Sequence, residues 1–166
     1  LKKTDGIFWD EAQNCVKEHN DMNLEEIYID NMAQQLVVNP EQFNNSVILS
    51  TNLFMDIISE LASGIVGSIG LIYSANMGDS YAMFEAAHGS APSFKGQNKV
   101  NPTATILAGA WMAEYLGEPH IREAIFSATE HVINEGKTIT FDIGGNASTS
   151  QMADAITILA KEKLRK

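Results

Sequence analysis

Three acidic residues have types and spacing that could bind a divalent cation. Asp56 and Glu60 stand four residues apart in a segment with a helical pattern, so both carboxylates would project from one face, one turn apart. Asp30 stands where a short strand is predicted to lead into a helix. Carboxylate oxygens suit Mg²⁺ and Mn²⁺. The pattern therefore allows a metal site, and a solvated acidic face is the alternative for such a pair.

The apolar neighbours of Asp56 and Glu60 favour the metal interpretation. The predicted helix is apolar on nearly all sides, through Leu53, Phe54, Ile57, Ile58, Leu61 and Ala62. Such a helix would bury the two carboxylates, and unpaired buried charge costs several kcal/mol. We therefore expect a counter-charge, either a divalent cation or the side chain of Lys2.

A second group of residues forms a loop of small side chains suited to a flat ligand. Residues 84–92 read Phe-Glu-Ala-Ala-His-Gly-Ser-Ala-Pro, and the loop closes at Asn101 before Pro102. A glycine beside His88 lets backbone approach a ligand while the imidazole packs on it, and Asn101 offers a donor and an acceptor to a base edge. The loop matches neither the G-x-G-x-x-G fingerprint of dinucleotide-binding folds nor the G-x-x-x-x-G-K-[ST] phosphate loop. A histidine with a purely structural role in the loop is the alternative.

The elements that must position these residues alternate between helical segments and short β-branched runs, which predicts an α/β layer architecture. Helices are predicted over 7–19, 30–38, 53–62, 102–116, 120–134 and 148–163, and strands over 26–29, 47–49, 71–73, 81–85 and 138–141. Ser148 or Thr149 would cap the last helix. The long loop over 86–101 has no period, and loops of this length in compact domains are usually functional.

Composition limits the classes of function. The chain has 166 residues, 45% of them apolar, and a formal net charge of −10. A body this acidic repels phosphate backbones and anionic lipid, so neither nucleic acid nor a membrane surface is expected as a partner. Its longest near-apolar stretch, residues 61–75, is too short and too rich in glycine to span a bilayer. The single Cys15 can form neither an internal disulfide nor a thiolate metal cage, which fits a reducing compartment.

Seven short stretches, in order along the chain, carry a family resemblance. They are residues 2–6, 29–37, 52–62, 74–79, 84–92, 100–104 and 142–149. With them the sequence resembles the metal-dependent β-decarboxylating dehydrogenases of 2-hydroxy acids, which include the isocitrate, 3-isopropylmalate and homoisocitrate dehydrogenases. Ala-Asn-Met-Gly-Asp over 75–79 and Phe-Glu-Ala-x-His-Gly over 84–89 are most like isocitrate dehydrogenases.

The resemblance implies roles for individual residues. Lys2 would be the catalytic lysine, which assists proton transfer at the substrate hydroxyl and reaches the site from a partner subunit. Asp30 would take part in catalysis and metal binding, and would likewise reach the site of the partner subunit in a dimer. Asp56 would be the main metal ligand, and Glu60 holds the second carboxylate position, where aspartate is usual. The residues expected to bind the dinucleotide are Glu85, His88, Gly89, Ser90, Ala91, Asn101 and Asp142.

The implied cofactors are Mg²⁺ or Mn²⁺ and a nicotinamide dinucleotide, with NAD expected over NADP. NADP-using members place a lysine and a tyrosine just after the His-Gly-x-Ala-Pro run, where this chain has Ser93 and Phe94. Further on they place a tyrosine and an arginine four residues apart, against Phe141 and Gly145 here. Loss of these partners for the 2′-phosphate favours NAD, although Lys95 could still reach a phosphate.

The implied fold is the α/β, two-domain fold of isopropylmalate and isocitrate dehydrogenases, which is not a Rossmann fold. This chain would be its C-terminal half, with residues 1–67 in a small, dimer-forming domain and 68–166 in a larger, adenine-binding domain. Arginines for the substrate carboxylates and a catalytic tyrosine would lie outside such a half. We therefore expect the chain alone not to turn over substrate.

The implied function is metal-dependent oxidative decarboxylation of isocitrate to 2-oxoglutarate, a reaction of the tricarboxylic acid cycle. Homoisocitrate or 3-isopropylmalate dehydrogenase is one alternative, and a non-catalytic assembly or regulatory subunit is another. The expected partners are a tricarboxylate or dicarboxylate substrate and further copies of the chain, in a homodimer or larger homo-oligomer. The expected compartment is the cytoplasm, or the mitochondrial matrix in a eukaryote.

Overall fold

The computed structural model describes residues 3–19 and 21–165, and the chain divides into two compact units, residues 1–62 and 63–166. The first unit contains helix α1 (Thr4–Glu18), helix α2 (Ile29–Val38) and a 3₁₀ turn over Pro40–Phe43. Helix α3 (Asn52–Val66) begins in the first unit and ends in the second. The assignment of residues 1–67 and 68–166 to a dimer-forming and an adenine-binding domain stays a prediction.

The core of the first unit is small. Met32 and Leu36 lie one turn apart on α2, and both are buried together with Ile58 of α3. Partly buried apolar side chains complete this cluster, namely Ile29, Ala33, Phe43 and Leu61. Burial of these side chains holds α2 against α3, which are the two helices that carry the predicted metal ligands.

The second unit combines one hairpin with three helices. Strands β1 (Tyr73–Met77) and β2 (Ala82–Ala86) pair antiparallel, with Tyr73 opposite Ala86. The helices are α4 (Thr103–Tyr115), α5 (Pro119–Glu135) and α6 (Thr149–Leu164), and 3₁₀ turns cover Ile69–Leu71, Pro92–Phe94 and Phe141–Ile143. The rings of Tyr73 and Phe84 meet that of Trp111 edge to face, at centroid distances of 5.9 and 5.8 Å, and so pack the hairpin on α4.

Local sequence explains where the helices of the second unit begin and end. Pro119 occupies the first position of α5, and Gly136 ends that helix with a left-handed φ of 70°. The predicted cap of the last helix is confirmed, because Ser148 and Gln151 form a capping box at the start of α6. Helices α5 and α6 bury one cluster, Ala128, Val132, Met152, Ile156 and Ala160.

Several predicted strands are wrong. Residues 26–28 are irregular and Ile29 already belongs to α2, residues 47–49 are irregular, and 138–140 lead into a 3₁₀ turn. A short apolar run becomes a strand only where a neighbour completes its hydrogen-bond ladder, and within the described residues the one ladder is β1 with β2. The strand predicted over 71–73 begins only at Tyr73, because Ile69–Leu71 forms a 3₁₀ turn. Strand β2 confirms the strand predicted over 81–85, shifted by one residue.

None of the helices formed by the described residues is long and apolar enough to cross a membrane.

Candidate metal and dinucleotide sites

The predicted metal ligands lie on two helices of the first unit. Asp30 is exposed in the first turn of α2, where its Oδ1 accepts a hydrogen bond of 2.8 Å from the amide of Asn31. A carboxylate at this end of a helix is favoured by the helix dipole. Tyr28 is the N-cap of α2, so this helix begins one residue before Asp30. Asp56 and Glu60 lie one turn apart on α3, as their spacing predicts.

The expectation that Asp56 and Glu60 are buried is wrong. Both residues are exposed, and Leu53 and Ile57 on the same helix retain 66% and 51% of their accessible surface. Among the described residues, the apolar cluster of the first unit takes Ile58 and Leu61 from α3. The two carboxylates therefore need no counter-charge to offset burial, and remain accessible to a cation or a second protein surface.

The oxygen ligands of the predicted metal site suit a hard divalent cation, but one chain does not bring all of them together. Asp56 and Glu60 supply carboxylate oxygens at a pitch that one ion can bridge. Among the described residues, no three His, Cys, Asp or Glu side chains converge to hold a metal ion. The predicted trio takes Asp30 from a second protomer, so a single chain does not test it. Lys2 lies outside the described residues, and its catalytic role stays a prediction.

The predicted dinucleotide loop follows strand β2 in the second unit. Glu85 is exposed on β2, and its Oε1 accepts a hydrogen bond of 3.0 Å from Asn76 across the hairpin. His88 Nδ1 lies 2.9 Å from the carbonyl oxygen of Gly89. Because a carbonyl only accepts, this contact places the ring hydrogen on Nδ1. Exposed Gly89 has open space where a side chain would start.

Ser90 and Ala91 lie in an open groove of about 280 Å³ beside this loop. Ala91 has a left-handed φ of 42°, a conformation that costs a non-glycine residue about 1–3 kcal/mol and clusters at active sites and ligand clamps. A larger groove of about 530 Å³ lies along the start of α6 and contains none of the predicted site residues. Asn98 and Asn45 also have positive φ, 50° and 62°, so two of these three positions lie in the predicted dinucleotide loop.

Asn101 is buried, with 6% of its surface exposed, and both ends of its side chain are bonded within the chain. Its Oδ1 accepts from the amide of Thr103 at 3.0 Å, in the first turn of α4, and its Nδ2 donates to Asp142 Oδ2 at 3.0 Å. These two bonds use one of the two N–H donors and one of the two acceptor positions of the amide. The predicted contact of this side chain with a base edge therefore stays a prediction.

Asp142 is the centre of this hydrogen-bond network. Its Oδ2 also accepts from Ser68 Oγ at 2.5 Å, and its Oδ1 accepts from Thr140 Oγ1 at 2.6 Å. Burial acts to raise the pKa of Asp142, but the hydrogen bonds from Ser68, Thr140 and Asn101 outweigh it and hold the pKa below its usual value. The carboxylate is therefore ionised in the folded protein at neutral pH.

Sequence reasoning missed the partners of Asp142. Ser68 lies 74 residues away along the chain, and Thr140 was predicted to lie in a strand. Gly70 also belongs to this network, because a Cβ there would lie 2.8 Å from Asn101 Cβ and 3.1 Å from Asp142 Oδ2. No local sequence pattern predicts such a network, because its members come from three separate segments.

Phe94 and Phe141, which stand where NADP-using members have tyrosines, pack against each other. Their ring centroids are 5.6 Å apart, and the ammonium of Lys99 lies 4.5 Å from the centroid of Phe141. Gly145 stands where those members have an arginine. A Cβ at Gly145 would collide with the backbone carbonyl of Ile139, so the turn has no room for a side chain there.

Comparison with known proteins places the chain in a family. The sequence profile described as isocitrate/isopropylmalate dehydrogenase matches residues 1–156. The isocitrate/homoisocitrate dehydrogenase of Thermus thermophilus is 43% identical over 156 residues, which cover 94% of this chain and 46% of that protein. A mitochondrial regulatory subunit of isocitrate dehydrogenase (NAD) from Dictyostelium discoideum is 39% identical over 167 residues, which cover 100% of this chain and 47% of that protein.

A solved structure agrees with these sequence matches. The isocitrate dehydrogenase of Methylococcus capsulatus superposes with a TM-score of 0.91 at 40% identity, over 97% of this chain and 48% of that one. The chain therefore belongs to the isocitrate/isopropylmalate dehydrogenase family, and the predicted fold class is confirmed. It spans about half the length of the relatives that it matches.

Proposed function

We propose that the whole protein catalyses the metal-dependent oxidative decarboxylation of a 2-hydroxy acid, with isocitrate as the first candidate and 2-oxoglutarate as its product. The observation that supports this most is the pair of exposed carboxylates, Asp56 and Glu60, one turn apart on α3 in a chain of this family. The pair offers oxygen ligands to a hard cation without the cost of burying charge.

In this proposal Asp56 and Glu60 of one protomer, with Asp30 of its partner, hold Mg²⁺ or Mn²⁺. When bound, the ion supplies Lewis-acid polarisation of the substrate hydroxyl and carboxylate. Lys2 assists removal of the proton from the substrate hydroxyl. The loop from Glu85 to Asn101 binds the dinucleotide, which takes up the hydride that the substrate loses.

NAD is the proposed electron acceptor. Phe94 and Phe141 lack the hydroxyl groups of the NADP pattern, and the ammonium of Lys99 is held against their rings. The collision at Gly145 excludes the arginine of that pattern without a change of the turn. Lys95 lines the groove beside Ser90, and its ammonium is also suited to a 2′-phosphate. A ratio of kcat/KM for NAD over NADP well above one would agree with this choice, and a ratio below one would contradict it.

The substrate has alternatives within the family. The Thermus relative is named for both isocitrate and homoisocitrate, and the family for both isocitrate and isopropylmalate. Turnover of the three acids by the whole protein at matched concentrations would rank them. Isocitrate is expected to give the highest kcat/KM.

A non-catalytic subunit of such an enzyme is the second candidate. It is favoured by the Dictyostelium relative, which is named a regulatory subunit, and by the glutamate at position 60 in place of the usual aspartate. Retention of Lys2, Asp30 and Asp56 together supports the catalytic proposal. A homodimer or larger homo-oligomer, in the cytoplasm or in the mitochondrial matrix of a eukaryote, belongs to the same proposal.

The proposal is tested by Asp56→Asn in the whole protein. Turnover of isocitrate with NAD and Mg²⁺ is expected to fall by about 10³-fold or more, because the neutral amide is a much weaker ligand. Asp10→Asn on α1 makes the same charge change at another exposed aspartate and is expected to leave turnover unchanged. Near-normal turnover of Asp56→Asn would contradict the metal assignment. Absence of Mn²⁺ binding by the wild type at millimolar concentration would favour the non-catalytic candidate.

A further inference from the structure

Donors from its own chain occupy most of the acceptor positions of the Asp142 carboxylate. A carboxylate offers about four acceptor positions. Ser68 and Asn101 occupy two of them on Oδ2, and Thr140 occupies one on Oδ1. Oδ2 therefore has no acceptor position left for a ligand hydroxyl unless one of its bonds breaks, and both oxygens already serve contacts within the chain.

Asn101 connects Asp142 to the predicted dinucleotide loop. Its amide group donates to Asp142, and its carbonyl group accepts from the first turn of α4. Gly70 packs closely against this pair, since a Cβ there would approach Asn101 Cβ to 2.8 Å and Asp142 Oδ2 to 3.1 Å. The position of Asn101 is thus fixed by hydrogen bonds at both ends and by backbone packing.

The residues just before Asn101 are held separately by the start of α6. Asn98 accepts from the amide of Ser150 at 3.1 Å and donates to its Oγ at 2.8 Å. Thr149 Oγ1 donates to the carbonyl oxygen of Val100 at 2.6 Å. The end of the loop is therefore anchored at two points, and such preorganisation removes part of the ordering cost of binding.

We propose that Asp142 is a positioning residue, which fixes Asn101 and so presets the end of the dinucleotide loop, and that it does not itself contact the dinucleotide. The inference rests on the proposed function, since it takes the loop over residues 85–101 as the dinucleotide site. It revises the role that the family resemblance implies for Asp142, from a ligand of the cofactor to a support of Asn101.

A double-mutant cycle in the whole enzyme separates the two roles. Asp142→Ala and Asn101→Ala are each expected to raise the KM for NAD about tenfold with kcat changed less than about twofold. If Asp142 acts through Asn101, the double variant has no higher KM than the worse single variant. If Asp142 binds the dinucleotide directly, the two effects multiply to about 100-fold, which would overturn the inference.

Two further measurements exclude a general loss of structure. The Thr103 amide donates a hydrogen bond to Asn101 Oδ1, so its hydrogen exchange reports on the position of Asn101. This exchange is expected to accelerate in Asp142→Ala. It is expected to stay unchanged in Ile156→Val, a core variant chosen as the control because its fall in Tm is similar. Ile156→Val is also expected to keep the wild-type KM for NAD. If Asp142→Ala does not fold, Asp142→Asn takes its place in the same cycle.

The outcomes distinguish this inference from the proposed function. A wild-type enzyme that reduces no NAD with isocitrate, homoisocitrate or 3-isopropylmalate overturns the proposed function, and the dinucleotide role of Asp142 with it. An active wild type with multiplying effects, or with an unchanged KM in Asp142→Ala, overturns the positioning role alone.

Discussion

The carboxylates of the two units have opposite environments. In the second unit, Asp142 is partly buried and accepts from three side chains of its own chain. In the first unit, Asp30, Asp56 and Glu60 are all exposed, and no metal-binding group of three acidic, His or Cys side chains forms within the described residues. The buried clusters differ in size as well, because α5 and α6 of the second unit bury five residues together, whereas the cluster of the first unit has three.

One chain is enough to reveal the role of Asp142 but not that of the exposed acidic residues. The hydrogen bonds to Asp142 form within one chain, so its partners can be judged as supports of the loop that they hold. The acidic residues of the first unit gain their proposed role only with a cation and a second protomer. Substitutions in the second unit are therefore expected to act on the stability of the protomer, and those on exposed positions of the first unit on assembly and metal binding.

The largest expected contrast is between a core and a surface apolar residue. Ile156 is 1% exposed, and Ile156→Ala in the whole protein is expected to lower the free energy of unfolding by about 3 kcal/mol. Leu53→Ala, at a position 66% exposed in this chain, is expected to cost the protomer under about 0.5 kcal/mol. Its effect should appear as weaker self-association in sedimentation experiments. Equal costs in urea unfolding, independent of protein concentration, would contradict the contrast.

Two glycines of the second unit provide the next test. Gly145→Ala is expected to destabilise the protein by about 2–3 kcal/mol, because the new Cβ collides with the carbonyl of Ile139 and the turn must shift. Gly109→Ala adds the same methyl group inside α4, where nothing lies within 4 Å of the new Cβ. It is expected to stabilise by about 0.5–1 kcal/mol through helix propensity. Thermal unfolding of the pair measures both, and a neutral Gly145→Ala would contradict the packing of this turn.

The pH dependence of stability tests the network at Asp142. Its pKa is lowered in the folded state, so its ionised form favours folding above the unfolded pKa of about 3.9, and this contribution is lost as the pH falls through the lower folded pKa. The free energy of unfolding of the wild type is therefore expected to fall more steeply below about pH 4 than that of Asp142→Asn. Urea unfolding across this range gives both curves, and parallel curves would show that the carboxylate gains nothing from its donors.

The smallest expected effect concerns two buried threonines. Thr103 Oγ1 is buried and has no hydrogen-bond partner in the part of the chain that the structure describes, so Thr103→Val is expected to stabilise by about 1 kcal/mol. Thr129 Oγ1 donates to the carbonyl oxygen of Ile125 at 2.8 Å, and Thr129→Val is expected to destabilise by about 1 kcal/mol. Tm shifts of opposite sign for the pair would confirm the contrast. A destabilised Thr103→Val would reveal a partner for that hydroxyl.

Helices were the part of the fold that the sequence predicted best. Their apolar periodicity and their end signals are local, and the structure confirms the predicted cap at Ser148. Helix α5 begins at Pro119 and ends at Glu135, one residue beyond the predicted range at each end. Strands were predicted poorly, because the run over 47–49 has the composition of a strand but gains no partner among the described residues. Strand formation depends on pairing that the run itself does not encode.

The candidate site divides in the same way. The spacing of Asp56 and Glu60 correctly predicted that they share one face of α3, because residues i and i+4 lie on the same face of a helix, one turn apart. The exposure of these two carboxylates was not predicted, since the number of apolar residues in α3 does not indicate which part of the protein packs against them. The link from Ser68 to Asp142 joins residues 74 positions apart, so only the folded chain reveals it.

Complementation between two inactive variants tests the shared metal site most directly. Whole proteins carrying Asp30→Asn and Asp56→Asn are each expected to be inactive with isocitrate, NAD and Mg²⁺. When the two are unfolded together and refolded, half of the dimers are mixed, and each mixed dimer rebuilds one intact site from Asp56 of one protomer and Asp30 of the other. Activity is then expected to return to about a quarter of the wild-type value. No recovery, with mixed dimers present, would contradict a metal site shared between protomers.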